Sequence, residues 1–154
     1  MFEDYIKTLF ILTGIQASGK TTFRKKFLSG CVCISLDELK TRKREQAAFE
    51  DIINSAKNCA VDNTNTTKEE RQKYIAYAKS RGYKIVGLYF RSVLEESFKR
   101  NAQRQGKAQV PQTAIRFMAK RLEQPQFTEG FDELFYIRIT DGGDFAVSKW
   151  SDDL

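Results

Sequence analysis

The residues whose types and spacing most clearly indicate a chemical function form one eight-residue pattern, G-x-x-x-x-G-K-[ST]. Its members are Gly14, Ile15, Gln16, Ala17, Ser18, Gly19, Lys20 and Thr21, and Thr22 follows directly. Glycines permit a tight loop whose backbone N–H groups point at an anion, and a helix that begins there adds partial positive charge. In such loops the lysine contacts the β- and γ-phosphates and the hydroxyl ligates Mg²⁺. We therefore expect residues 14–22 to bind ATP and Mg²⁺, with Lys20 also serving catalysis.

A second candidate group is the carboxylate of Asp37, which follows the second predicted strand. The chain contains no histidine, so a general base near neutral pH must be a carboxylate, a lysine, a cysteine or a tyrosine. Asp37 would lie beside the γ-phosphate, where it could accept the proton of an attacking hydroxyl. An acid in the first turn of a helix, favoured by the helix dipole, is the alternative. The residues alone leave both interpretations open.

Asp62 ends the third predicted strand, where it resembles a Walker B acid that holds a magnesium-bound water. The polar residues 62–65 also suit a turn, in which an aspartate needs no metal. Asp62 therefore stands as a candidate magnesium ligand beside this structural alternative.

Two arginines, Arg100 and Arg104, are spaced to share one face of a predicted helix. Arginine binds phosphate oxygens in a bidentate manner and stays charged, so the pair could form a lid over a nucleotide. Solvated surface arginines are the alternative.

The elements that must position these residues alternate between strands and helices. Apolar, β-rich runs predict strands at residues 8–13, 31–35, 58–62, 83–90 and 133–139. Helices are predicted at residues 20–29, 37–57 and 111–123, and Ser35 is the predicted cap of the second. A fourth helix is predicted from a cap at Thr66 to about Gly82, and a fifth from a cap at Ser92 to about Gly106. A turn at residues 141–143 predicts a C-terminal β-hairpin. The order predicts an α/β fold, a parallel sheet of about five strands with helices on both faces, as one domain over residues 1–154.

Composition narrows the ligand class and the compartment. A net charge of +6 and a pI near 9.2 suit an anionic partner. Cys31, Cys33 and Cys59 form an odd set without histidine, so we expect free, buried thiols. No run approaches the roughly 18 apolar residues of a membrane span, and the N-terminus carries acids where a signal peptide carries basic residues. We expect a cytoplasmic protein without membrane contact.

Taken in order, these pieces resemble the kinase domain of the polynucleotide 5′-hydroxyl kinases and related bacterial P-loop kinases. The resemblance covers about residues 9–139 and rests on residues 14–21, 34–37, 61–65 with Arg71, and 100–104, and residues 124–131 also match. It implies a P-loop kinase-like fold in which Lys20 and Thr21 bind ATP and Mg²⁺. It further implies that Asp37 is the base and that Arg104, with Arg100, holds the donor phosphates.

The resemblance favours an ATP-dependent kinase for the 5′-hydroxyl of DNA or RNA, an activity of nucleic acid repair. Gln16 and Ala17 replace the family's usual Pro-Gly, and Lys40 stands where those kinases tend to have an arginine for the acceptor's 3′-phosphate. A small-molecule kinase acting on a nucleoside, a sugar or an antibiotic therefore remains an alternative. A regulatory module that binds nucleotide without transfer is another, although the N-K-x-D motif of GTPase switches is absent.

Overall fold

The computed structural model describes residues 1–151. Within these residues the strands are β1 (Thr8–Thr13), β2 (Val32–Ile34), β3 (Cys59–Asp62), β4 (Lys84–Phe90), β5 (Glu133–Ile139) and β6 (Phe145–Lys149). The helices are α1 (Lys20–Phe27), α2 (Leu36–Leu39), α3 (Arg42–Asn54), α4 (Lys68–Lys79), α5 (Leu94–Ala102) and α6 (Gln112–Arg121). Short 3₁₀ turns at Gly106–Ala108 and Phe127–Glu129 precede α6 and β5.

The strands form a sheet in the order β2-β3-β1-β4-β5-β6. β1 pairs in parallel with β3 on one side and β4 on the other, and all of its residues are buried. β5 continues the parallel set, and β6 returns antiparallel to β5 with Phe145 opposite Ile139. The predicted α/β class, the five parallel strands and the terminal hairpin are confirmed. Because the strands are parallel, their carboxyl ends share one edge of the sheet, where ligands of such folds bind.

Alternate residues of the central strand face two apolar cores. Leu9 and Ile11 pack with residues of α3 and α4, whereas Phe10 and Leu12 pack with residues of α1. Successive side chains of a strand point to opposite faces, so helices cover both faces of the sheet as predicted.

The single helix predicted at residues 37–57 is wrong, because α2 and α3 divide this stretch. Lys40 lies between them with φ 73°, a left-handed value that a continuing right-handed helix cannot contain. Thr41 then caps α3, since its side chain accepts a hydrogen bond from the backbone N–H of Arg44. The break leaves Asp37 on a four-residue helix directly after β2.

The predicted capping residues are partly wrong. Ser35 precedes α2 as predicted, but its side chain makes no capping hydrogen bond. α4 is capped by Thr67 instead of Thr66, and α5 follows Val93, without a side-chain cap, instead of Ser92. The capping pattern therefore locates each helix start to within one residue, while local packing decides which side chain bonds.

The cysteines are free, but only Cys59 is fully buried among them. Cys31 and Cys33 are half-buried, because β2 is an edge strand, so the prediction of buried thiols is wrong for this pair. Burial still raises the pKa of both thiols to about 11, which keeps them protonated near neutral pH. No helix within residues 1–151 is long and apolar enough to cross a lipid bilayer.

Candidate active site

The glycine-rich loop connects β1 to α1 at the carboxyl edge of the sheet. A side chain at Gly14 would meet Ser18 Oγ at 2.8 Å and Phe90 Cβ at 3.1 Å. Gly19 precedes α1 with φ 98°, a conformation that residues with a Cβ rarely adopt. The loop therefore requires both glycines, and it ends at the positively polarised amino terminus of α1.

Residues that follow the neighbouring strands hold this loop from both sides. The Gly14 N–H donates to the Thr64 carbonyl at 3.0 Å, and the Ile15 N–H donates to Ser92 Oγ at 3.1 Å. The Ser92 hydroxyl donates in turn to the carbonyl of Phe90 at 2.8 Å. Sequence analysis assigned Ser92 to a helix cap and missed this role, because the contact depends on β4 lying beside β1.

The Lys20 side chain folds back over the loop and is buried. Its Nζ donates to the carbonyl oxygens of Gly14 and the next residue, both at 2.8 Å. The pKa of Lys20 is lowered to about 8, chiefly because the amine is buried and also because Arg104 lies near it. The carboxylates of Asp62 and Asp37 act in the opposite direction. The two predicted acids and the predicted lid arginine thus all act on one amine.

Thr21 and Asp62, the residues predicted to serve Mg²⁺, are in direct contact. Thr21 Oγ1 donates to Asp62 Oδ2 at 2.9 Å. Mg²⁺ prefers oxygen ligands and is usually held by one or two carboxylates together with phosphates and water, so this hydroxyl and carboxylate fit the ion. Arg24, one turn further along α1, donates its Nε to the same Oδ2 at 2.9 Å. Sequence analysis did not anticipate Arg24.

The loop opens into a cleft of about 850 Å³. The predicted site residues that line it are Gln16, Ala17, Gly19, Lys20, Thr21, Thr22, Asp37, Asp62 and Arg104. Those outside its lining are Gly14, Ile15, Ser18 and Arg100. The first three of these four contact the Lys20 amine, with distances of 2.8 to 3.5 Å. The structure therefore brings together the loop, both acids and one of the two arginines.

Asp37 is exposed on the wall of the cleft formed by α2. It also lies in the first turn of that short helix, so its position meets the conditions of both interpretations made from the sequence. Lys40, Arg42 and Lys107 line the same cleft. The cleft thus combines an accessible carboxylate with positive charge that suits an anionic ligand.

The prediction that Arg100 and Arg104 share one helical face is wrong, because α5 ends at Ala102, before Arg104. Arg104 lines the cleft, and its Nη1 donates to the Ala108 carbonyl at 3.3 Å. Arg100 instead donates from Nη1 to the Ala17 carbonyl at 3.2 Å. Arg104 is thus available to a phosphate in the cleft, whereas Arg100 braces the backbone of the loop.

A buried carboxylate that sequence analysis missed supports the α2 wall. Glu45 of α3 is 1% exposed and accepts hydrogen bonds from Asn63 Nδ2 at 2.9 Å, Arg42 Nη1 at 3.2 Å and the Tyr74 hydroxyl. Asn63 Oδ1 also accepts from the backbone N–H of Leu36, the first residue of α2, at 2.9 Å. Asn63 therefore links the loop after β3 to the start of α2, and Glu45 holds the Asn63 side chain in place.

Residues 9–125 match the AAA domain family. The chain is 27% identical over 141 residues to a putative bifunctional polynucleotide phosphatase/kinase of Acanthamoeba polyphaga mimivirus. It is also 27% identical over 128 residues to the bifunctional polynucleotide phosphatase/kinase of Schizosaccharomyces pombe. The alignments cover 86% and 80% of this chain but 34% and 31% of the relatives, so the chain spans about a third of their length.

Solved structures share the fold at lower identity. Chaetomium thermophilum Kti12 in complex with ADP-AlF3 aligns with a TM-score of 0.64 and 17% identity, covering 88% of this chain and 92% of Kti12. A chain of the Pnkp1/Rnl/Hen1 RNA repair complex aligns with a TM-score of 0.64 and 21% identity, and the alignment covers 79% of this chain and 46% of that one. The family match confirms the resemblance found in the sequence, and the chain belongs to the AAA domain family as a P-loop kinase domain.

Proposed function

We propose that residues 1–154 form one kinase domain that transfers the γ-phosphoryl group of ATP to the 5′-hydroxyl of DNA or RNA. The observation that carries this proposal is the shared cleft, which Lys20, Thr21 and Asp37 all line. A phosphate held by the loop and a hydroxyl beside Asp37 would meet inside it. A module that only binds nucleotide has no need of a carboxylate on the opposite wall.

In the proposed reaction the acceptor oxygen attacks the γ-phosphorus of ATP, and the bond from that phosphorus to the bridging oxygen of ADP breaks. Asp37 takes the hydroxyl proton, and ADP leaves with the electron pair of the broken bond. Asp37 suits this role because it is exposed in the cleft and the chain offers no histidine.

On the donor side, Lys20 would exchange its carbonyl partners for the β- and γ-phosphate oxygens. Arg104 lines the same cleft, and its planar guanidinium suits two phosphate oxygens at once. Thr21 and Asp62 would hold Mg²⁺, which when bound neutralises the charge of the transferring phosphoryl group.

Two observations favour a nucleic acid acceptor. Lys40, Arg42 and Lys107 add positive charge to the cleft, which suits the phosphate backbone of a polynucleotide. Two relatives are named polynucleotide phosphatase/kinases. We therefore propose that the enzyme heals nucleic acid ends.

Transfer of labelled γ-phosphate from ATP tests the proposal directly. The full chain is incubated with Mg²⁺, labelled ATP and a panel of acceptors: 5′-hydroxyl DNA, 5′-hydroxyl RNA, nucleosides, sugars and antibiotics. We expect the label at the 5′ end of an oligonucleotide. Label on a small molecule alone would show a kinase whose acceptor is that molecule instead of a nucleic acid. Label on none of the acceptors would contradict phosphotransfer.

Asp37→Asn tests the base, since asparagine keeps the shape of the side chain and cannot accept the proton. We expect transfer to fall by about 10²- to 10⁴-fold, the range for loss of a general base. ATP affinity, measured by calorimetry, should change little because Asp37 would face the acceptor.

Two variants control this measurement. Glu38→Gln removes the neighbouring acid of the same helix turn, which lies outside the cleft lining, and should transfer at nearly the wild-type rate. Lys20→Ala should lose ATP binding together with transfer. Unimpaired transfer by Asp37→Asn would exclude it as the base, and lost ATP binding would move Asp37 to the donor side.

A further inference from the structure

Arg24 contacts the same carboxylate oxygen that receives the Thr21 hydroxyl. Arg24 Nε and Thr21 Oγ1 each lie 2.9 Å from Asp62 Oδ2. Thr21 and Arg24 are three residues apart on α1, so both reach the end of β3 from one face of the helix. The side chains of Arg24 and Asp62 are only 15% and 6% exposed, so water screens this ion pair less than it screens a surface pair.

The two donors occupy one oxygen of Asp62 and leave the other open. Within residues 1–151, Oδ1 of Asp62 receives no hydrogen bond, and Asp62 lines the cleft. A carboxylate held in this way cannot turn both of its oxygens toward a cation. It presents one oxygen, and its negative charge is shared with a guanidinium.

We propose that Arg24 is a positioning residue that keeps bare Mg²⁺ from binding at Asp62 until the phosphates of a nucleotide reach the loop. The inference rests on the proposed ATP-dependent function. A lone divalent cation approaching Asp62 meets repulsion from Arg24 and from the buried Lys20 amine. A nucleotide brings three or four negative charges, so the net charge around Asp62 then attracts the ion.

The ion would therefore enter together with the nucleotide. Such an order follows from the charges of this chain, because α1 supplies Lys20, Thr21 and Arg24 from consecutive turns. Arg24 would act on the ion at Asp62, through its positive charge and its bond to that carboxylate, since no nucleotide atom needs to touch it.

Binding of Mn²⁺, a paramagnetic substitute for Mg²⁺, to the full chain without nucleotide tests the proposal. Free Mn²⁺ is followed by electron paramagnetic resonance. We expect Arg24→Gln to bind Mn²⁺ at least about tenfold more tightly than the wild type, because one positive charge beside Asp62 is removed. With saturating ADP the difference between the two proteins should shrink to about threefold or less, since the phosphates then dominate the site.

Lys25→Gln is the matched control, because it removes the same charge from an exposed position of the same helix. It should bind Mn²⁺ within about twofold of the wild type. The double variant Arg24→Gln/Asp62→Asn should lose the added affinity. Should Arg24→Gln fail to fold, Arg24→Met removes the charge with an apolar side chain and makes the same test.

The proposal is overturned if Arg24→Gln binds Mn²⁺ no more tightly than Lys25→Gln, or if the added affinity survives in the double variant. A purely structural role for Arg24 would lower the melting temperature and leave Mn²⁺ affinity unchanged. The measurement needs neither turnover nor an acceptor, so its failure leaves the transfer assays standing. A failed transfer panel would leave the Mn²⁺ result equally interpretable.

Discussion

Among single residues, Lys20 shows how the loop is prepared for phosphate. Its amine is buried and bonded to two carbonyl oxygens of the loop. The cost of removing this charge from water is therefore already met in the folded chain. A phosphate would only exchange places with the carbonyl oxygens, and electrostatic stabilisation by preorganised groups is usually the largest single contribution to catalysis.

The different positions of Arg100 and Arg104 give an asymmetric prediction. We expect Arg104→Ala to lower the transfer rate by about two orders of magnitude, about 3 kcal/mol of transition-state stabilisation, because this guanidinium lines the cleft. Arg100→Ala should cost less, since its contact is the Ala17 carbonyl. Arg104→Lys should recover part of the rate, because a point charge lacks the bidentate fork.

Single-turnover transfer with saturating acceptor measures these rates. Arg116→Ala is the control, because Arg116 is exposed on α6 and lies outside the cleft lining. A wild-type rate in Arg104→Ala would remove Arg104 from the donor site, and an equal loss in Arg100→Ala would show that the two act as one unit.

Sequence analysis found the loop and both acids because each is encoded locally, in a short motif or at the end of an apolar run. Arg24, Ser92 and Glu45 escaped it. Their partners lie 38, 77 and 18 residues away along the chain. The residue types alone indicate a surface cation, a helix cap and a surface acid, so only the assembled sheet reveals their contacts.

Among the elements, the break between α2 and α3 shapes the wall of the cleft that α2 forms. In one continuous helix Asp37 and Arg42 would point about 140° apart, because each residue turns the helix by about 100°. The break at Lys40 instead lets Asp37, Lys40 and Arg42 line the same cleft. The left-handed conformation of Lys40 is thus a local cost at the site, where backbone strain often concentrates.

Lys40→Gly should raise the free energy of unfolding by about 1 kcal/mol. Relief of left-handed strain is worth about 1–3 kcal/mol, and the extra unfolded-state entropy of glycine removes about 0.5–1 kcal/mol of it. Urea unfolding followed by circular dichroism measures the change. Ala47→Gly, at an exposed position inside α3, should instead lose about 1 kcal/mol. Equal losses in both variants would exclude strain at Lys40.

The observed strands lie close to the predicted ones, because short continuous apolar runs are typical of strands that a parallel sheet buries on both faces. The helix break did not, because the apolar spacing of Phe49, Ile52 and Ile53 fits one helical face whether the helix begins at residue 37 or at residue 42. Amphipathic periodicity indicates that a helix exists and says little about where it starts.

In the whole molecule, the strand order decides which loops meet. β1 lies between β3 and β4, so the phosphate-binding loop is flanked by Asp62 on one side and Ser92 on the other. The sequence predicted a parallel sheet without this order, because the order depends on crossovers between distant segments. Local pattern therefore yields the parts of the site, and the topology joins them.

A buried ion pair ties the far side of the molecule to the same loops. Arg71 of α4 donates from Nε and Nη2 to the two carboxylate oxygens of Glu129, at 2.8 and 3.1 Å. Its Nη1 donates to the Asn65 carbonyl at 2.8 Å, three residues after Asp62. Glu129 also accepts from the backbone N–H of Gln126 at 2.8 Å. The pair thus connects α4, the segment before β5 and the loop after β3.

We expect Arg71→Met to lower the free energy of unfolding by about 3–5 kcal/mol, because it leaves the Glu129 carboxylate buried without its partner. The double variant Arg71→Met/Glu129→Leu should recover most of this loss, since neither charge remains. Recovery should be incomplete, because the contacts to Asn65 and Gln126 are also lost. Urea unfolding measures all three proteins. Lys84→Met, which breaks the half-exposed pair with Glu133, should lower the free energy of unfolding by at most about 1 kcal/mol. An equally small effect of Arg71→Met would contradict a role of the buried pair in joining these segments.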